Sequence, residues 1–272
     1  MSDGEVFIHP TADVHPKARL DHGVKIGPYC YIGEKVTIYK GTRLDANVYV
    51  DGLTEIGEDC LFSPYSTIGT EPQDVSYKNE ETVVKIGKRN IFREFITVNR
   101  GTTKGGGKTI IGDDNYFMAY SHIAHDCVVG NGTIFINGAS LAGHVSVDDF
   151  ATVGAFSGVH QFCRVGKYSF IGGYSVITQD VLPFCRVAGS RPALLYGLNV
   201  VLLRRKGFSK ERIALLKELY RIIFLSNLNT SQALEKIEKE IAPSEDRDEI
   251  INFIRSSKRG IIKKTEERWE IE

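Results

Sequence analysis

The chain has 272 residues, and its 34 basic and 34 acidic side chains give a formal net charge of zero, so it lacks the basic field that nucleic acid attracts. Hydrophobic residues make up 42% and charged residues 25%, which suits one large globular core with at most a smaller appendage. The opening MSDGEVFIHP has neither a basic n-region nor an apolar h-region, and no run approaches the roughly 18 apolar residues of a membrane span.

From Ile8 a step of six residues lands on an apolar side chain every time: Val14, Leu20, Ile26, Ile32, Ile38, Leu44, Val50, Ile56, Phe62 and Ile68. After a gap the landings resume at Ile86, Phe92 and Val98, and a further unbroken run leads from Ile111 to Ile177. Four residues past each landing stands a second slot, mostly small or β-branched: Ala12, Ala18, Cys30, Thr42, Ser66, Thr133, Ala139, Ser157, Ser175. One large and one small inward residue per hexad is the pattern of a hexapeptide β-helix, in which three hexads close a triangular coil and residues 18 apart stack. Nine or ten such coils at ~4.8 Å each form a prism roughly 45 Å long. Four of the five cysteines, Cys30, Cys60, Cys127 and Cys163, occupy the small slot, so they read as buried hydrophobes in a reduced, cytoplasmic protein. Without a CxxC pair a structural zinc site is not expected.

Two segments interrupt the period. GTEPQDVSYKNEETVVK follows Ile68 and reads as a replacement for a whole coil. RGTTKGGGKTI follows Val98, and its glycine triplet reads as a flexible loop rather than a phosphate cradle. After Asp180 the period ends. Ser209 is a candidate N-cap for a helix burying Ile213, Leu216, Tyr220 and Ile223; Thr230 or Ser231 opens a second, and a third follows Pro243. The expected division is a β-helix domain over residues 1–190 and a helical domain over 191–272.

The chemistry concentrates in four histidines: His122, His125, His144 and His160. His125, Gly143 and Gln161 are spaced to form one vertical column, with Asp126 and His144 in the next and His160 flanking. Acyl transfer to an alcohol needs a base for the hydroxyl proton and a donor for the oxyanion. His125 suits the first task, an unobstructed Gly143 N–H suits the second, and Asp126 or another nearby carboxylate can hold the imidazole tautomer.

The segments HIAHDCVVGN, LAGHVSVDDFA, VHQFC and GLN…LRRKGFS, taken in order, resemble the acyl-[acyl-carrier-protein]–UDP-N-acetylglucosamine O-acyltransferases, hexapeptide-repeat enzymes that open lipid A synthesis. The resemblance runs from IHPTA at 8–12 to SSKRGII at 256–262. It implies a left-handed β-helix and a homotrimer with sites at subunit interfaces. The donor would be a 3-hydroxyacyl carrier protein and the acceptor UDP-N-acetylglucosamine, with no cofactor and no metal. It further implies His125 as base with Asp126 in support, Gly143 at the oxyanion, and His122, His144, His160 and Gln161 as sugar and acyl contacts. Gln73 and Asp74 match a pair that reaches the sugar from a neighbouring subunit; Asn199 and Arg205 match nucleotide and phosphate contacts. Gly173 matches a residue that limits acyl length, with Phe170 beside it. The chain departs from the family pattern at Ser76, where a lysine is common, and at Val201.

Three rival readings make separate demands. The related N-acyltransferase carries a uridine-binding domain ahead of its hexads, whereas here the hexads begin at Ile8. A hexapeptide zinc hydratase of the carbonic-anhydrase type needs three histidines meeting at one point, for which His122, His125 and His144 are the candidates. A non-catalytic β-solenoid would leave the histidine column unexplained.

Overall fold

The computed structural model describes residues 4–265; the outermost residues of the expected domain ranges lie outside these. Short strands turn a corner every hexad and stack into three parallel sheets, the second of nine strands and the third of eight. Register follows the period: Ile8 pairs with Ile26, Val14 with Ile32 and Leu20 with Ile38. Every landing from Ile26 to Ile177 is buried. In the first coil Ile8 stays 43% exposed, because no coil lies beneath it.

Phe62, Phe92, Phe117 and Phe135 form a stack inside the prism, with successive ring centroids 4.6, 4.6 and 4.9 Å apart. Such pairs add about 0.5–1.5 kcal/mol each beyond their area burial. The cysteines behave as the slot predicts: all five are buried, and desolvation pushes Cys127 and Cys185 up to about 12 and Cys60 and Cys163 up to about 11, so the thiols stay protonated.

Many corners bend at the third residue past a landing, where the backbone is left-handed even without glycine: Tyr65, Phe95, Tyr120, Asp126, His144 and Phe162 all have positive φ. The cost of that conformation is offset by stacking along the corner. Between the first and second sheets Tyr65, Phe95 and Tyr120 pile up 5.0 and 4.9 Å apart, and Phe156 and Tyr174 continue the ladder above. Between the second and third sheets the same position holds Asp126, His144 and Phe162.

Both insertions join the second sheet to the third. Ile68 pairs with Val98 and Ile56 with Ile86, so the first insertion lengthens one step of a coil rather than replacing a coil. The second likewise widens a single step, since Ile86 pairs with Ile111 and Val98 with Ile123.

Past the last hexad, strands Cys185–Ala188 and Leu194–Leu198 extend the first sheet, the latter antiparallel. Neither is legible as a hexad. Four helices follow: α1 (Val200–Arg205), α2 (Lys210–Leu225), α3 (Thr230–Glu240) and α4 (Glu245–Ser256). The Ser209 side chain caps α2 as expected, and Ile213, Leu216, Tyr220 and Ile223 are buried. For α3 the cap is Asn229, one residue before Thr230 and two before Ser231, because it forms a reciprocal capping box with Gln232. The chain then returns to the prism: Ile261 bridges to Asp180, and Ser257 donates to the Asp180 carboxylate at 2.7 Å.

Candidate active site

The corner between the second and third sheets carries the site. His122 and Ile123 form one strand, with Ile123 inward and His122 therefore on the outer face. Two residues on, His125 stands at the corner, followed by Asp126 in the left-handed conformation. His125 Nδ1 lies 2.8 Å from Asp126 Oδ2, and the Asp126 side chain is fully buried. A carboxylate accepts, so Nδ1–H is the donor, and in the neutral ring that leaves the lone pair on Nε2.

Gly143 sits one coil above, against the ring. A β-carbon built there would stand 2.6 Å from His125 Nε2, far inside contact distance. The Gly143 N–H pairs with no acceptor among the described residues, while its neighbours Ala142 and His144 both donate within the coil ladder. An imidazole nitrogen and a free amide thus face the same space. His144 meets His125 edge-on at 5.1 Å and stacks on Phe162 at 4.5 Å; its Nε2 is 3.8 Å from Asp126 Oδ2. Desolvation lowers the pKa of His144 despite that carboxylate, and burial lowers that of His122, so both stay neutral near pH 7.

The imidazole–carboxylate–imidazole group of His125, Asp126 and His144 has donor atoms within 4.8 Å of one another. His122 does not join it: its Nδ1 is engaged by the Thr97 hydroxyl at 2.7 Å. The three-histidine meeting that the zinc hydratase reading requires is not formed.

The remaining expected residues divide by corner. Gln161 and His160 continue the His125 column upward and are exposed; Arg259, from the returning C-terminal segment, approaches His160 Nδ1 at 3.3 Å. Asp74 lies close enough to His125 of its own chain for the two to interact electrostatically. Its carboxyl is held below the usual range mainly by the backbone N–H and hydroxyl of Ser76, with His125 and Lys104 adding to the effect. Gln73 is exposed in the same loop and lines a cleft with Tyr49, Asp51, Asn99 and Arg100. Asn199 and Arg205 are not brought to His125. Asn199 is buried and donates to the Tyr168 carbonyl at 3.0 Å, on the corner between the third and first sheets, and Arg205 ends α1 beyond it. Phe170 lies half-buried on the first sheet, and Gly173 is exposed beside Tyr174.

Sequence reasoning missed the second insertion. Thr102 donates to Asp126 through both its backbone N–H, at 2.8 Å, and its hydroxyl, at 2.6 Å. The Lys104 amine reaches the Ser76 hydroxyl at 3.0 Å, linking the two insertions beside Asp74. No hexad column carries these contacts, so periodicity gave no signal for them.

Comparison with known proteins gives the family and the fold. A family model described as Udp N-acetylglucosamine O-acyltransferase, Domain 2, matches residues 180–262, and one described as Bacterial transferase hexapeptide (six repeats) matches 108–143. The chain is 54% identical over 256 residues to the acyl-[acyl-carrier-protein]–UDP-N-acetylglucosamine O-acyltransferase of Thermodesulfovibrio yellowstonii, covering 94% of this chain and 99% of that relative. It is 41% identical over 263 residues to the protein of the same name from Stenotrophomonas maltophilia, covering 97% and 100%. Among solved structures it superimposes with a TM-score of 0.91 on a UDP-N-acetylglucosamine acyltransferase from Bacteroides fragilis 9343, at 41% identity over 94% of this chain and all of that one.

Proposed function

The chain belongs to the acyl-[acyl-carrier-protein]–UDP-N-acetylglucosamine O-acyltransferase family of left-handed hexapeptide β-helices, and from that premise we propose how its residues perform the transfer. The protein moves a 3-hydroxyacyl group from acyl carrier protein to the 3-hydroxyl of UDP-N-acetylglucosamine, the first step of lipid A biosynthesis. The observation that carries the residue assignment is the clamp on His125, between a buried Asp126 carboxylate on Nδ1 and Gly143 beside Nε2.

His125 Nε2 takes the proton from the sugar 3-hydroxyl as its oxygen attacks the thioester carbonyl. Asp126 stabilises the imidazolium, and the Gly143 N–H donates to the tetrahedral oxygen. Collapse breaks the carbon–sulfur bond, and the carrier's departing thiolate recovers the proton from His125. The products are an O-acylated sugar nucleotide and a free carrier thiol, with no cofactor consumed. His122, His144, His160 and Gln161 line the column around the reacting atoms and contact sugar and acyl chain; Gln73 and Asp74 reach the sugar from the first insertion.

The site is built for more than one chain. Asn199 and Arg205 stand on a different corner from His125 and contact the nucleotide of a neighbour's site in a homotrimer. The exposed ladder of Tyr65, Phe95, Tyr120, Phe156 and Tyr174 offers an apolar edge for that packing. The transferase domain runs through strand Leu194–Leu198, which still pairs with the first sheet, and α1–α4 make up the helical domain, so the boundary falls a few residues past the expected 190. No helix among the described residues is long and apolar enough to cross a membrane. Buried, protonated thiols suit a cytoplasmic setting.

Acyl length is set beside Gly173. A β-carbon there would meet only the Ala155 backbone, its carbonyl oxygen at 3.4 Å and its nitrogen at 3.9 Å, so a side chain fits without disturbing the coil. An empty position leaves the groove open to a longer chain, with Phe170 narrowing it from the side. Gly173→Met therefore shifts the preference toward shorter donors. A buried methylene contributes ~0.8 kcal/mol, so each carbon accommodated raises kcat/KM several-fold until the wall is met. The experiment is kcat/KM for UDP-N-acetylglucosamine across a ladder of 3-hydroxyacyl carrier proteins, wild type against variant. Superimposable profiles would assign Gly173 to packing alone.

A further inference from the structure

We infer that Thr102 is a positioning residue for acyl transfer, holding the Asp126 carboxylate in place and aimed at His125. The inference rests on the transferase reading above. A fully buried carboxylate is costly unless its oxygens are satisfied, and without donors it takes a proton instead. In this site Asp126 Oδ1 accepts the Thr102 backbone N–H at 2.8 Å, and Oδ2 accepts the Thr102 hydroxyl at 2.6 Å and His125 Nδ1 at 2.8 Å. One residue of the second insertion therefore supplies two of the three close donors. The direction of its hydroxyl is fixed as well, because Thr102 Oγ1 accepts the Gly105 N–H at 3.2 Å and so turns its own proton to the carboxylate.

The loop is shaped around this contact. The Gly105 and Gly107 N–H groups both bond the Thr102 carbonyl, at 3.0 and 2.8 Å, closing the loop into a tight turn. A β-carbon on Gly105 would be driven into the Asp126 carboxylate, so glycine is required there for closeness rather than for flexibility. Thr102 itself is 5% exposed. The glycine-rich segment is thus the wall that keeps water from Asp126. It touches no substrate-facing atom of His125, which makes its effect indirect.

The charged and titratable groups around the carboxylate are His125 beside it, His144 one coil above, and Lys104 and Asp74 at the mouth of the site. Removing the hydroxyl leaves Oδ2 with one donor fewer. The carboxylate is then free to turn, and His125 Nδ1 loses its fixed acceptor.

The test is steady-state kinetics of purified Thr102→Val and Thr102→Ser beside wild type, with melting curves for each. Valine matches threonine in shape but lacks the hydroxyl; serine keeps it. A hydrogen bond to a charged group corresponds to about 10- to 100-fold in rate, so Thr102→Val is expected to lose that much kcat. KM for both substrates should stay within about twofold, since neither is touched. Thr102→Ser should restore kcat. Wild-type kcat in Thr102→Val would overturn the inference. So would a loss that falls on KM as much as on kcat, or one that tracks a lowered melting temperature and is not rescued by serine. An inactive wild type would instead overturn the transferase reading, and the inference with it.

Discussion

His125→Ala is expected to cut kcat/KM by about 10³-fold or more, the upper part of the range for losing a positioned general base. The ring stands at an outer corner, engaged with Asp126 and facing His144, and contributes nothing to the column of Ile123, Leu141 and Val159 that fills the prism. Removing it should therefore leave the fold in place, and light scattering should return the same mass as wild type. Replacing His125 does expose the Asp126 carboxylate on one side, but the Thr102 donors remain. A variant retaining more than about a tenth of wild-type kcat/KM would show that another group takes the proton.

Gly143→Ala should cost nearly as much, for a reason specific to this geometry. The glycine does not adopt a left-handed backbone, so alanine is conformationally acceptable. What it cannot do is share space with the imidazole, since the added carbon would stand 2.6 Å from Nε2. The ring must swing away from Asp126, and the methyl group shields the amide meant for the oxyanion. Loss of one such donor alone lowers kcat by about 10²–10³-fold. The steric account makes a sharper demand in the double variant. Once His125 is alanine the space is empty, so adding Gly143→Ala should then reduce activity far less than it does alone. Equal effects in both backgrounds would mean that Gly143 acts without reference to the ring.

The prism was legible because its geometry is periodic. A residue's inward or outward direction follows from its place in the hexad, and vertical neighbours follow from the count of 18, which is how His125 could be placed on Gly143 from the sequence. Where the period breaks, that inference stops. Thr102 reaches Asp126 across 24 residues and Lys104 reaches Ser76 across 28, distances set by loop closure and not by a repeat. Strands Cys185–Ala188 and Leu194–Leu198 were hidden for a related reason: they pair with the prism without its six-residue signature. Asn199 shows a third limit. Its resemblance to a nucleotide contact says nothing of the internal bond to the Tyr168 carbonyl that fixes the start of α1. The helices were read well because caps and 3.6-residue spacing are local signals, with the start of α3 displaced by one residue.

The central claim is that this chain forms an ester at the sugar 3-oxygen by direct acyl transfer. The most direct measurement is to incubate the purified protein with a 3-hydroxyacyl carrier protein and UDP-N-acetylglucosamine, then determine product mass and attachment site by mass spectrometry and NMR. The account predicts one acyl group on the 3-oxygen, released carrier thiol in equal amount, and the same rate after exhaustive chelation. Absence of acylated sugar from active, folded protein, or activity that appears only with stoichiometric zinc, would contradict it.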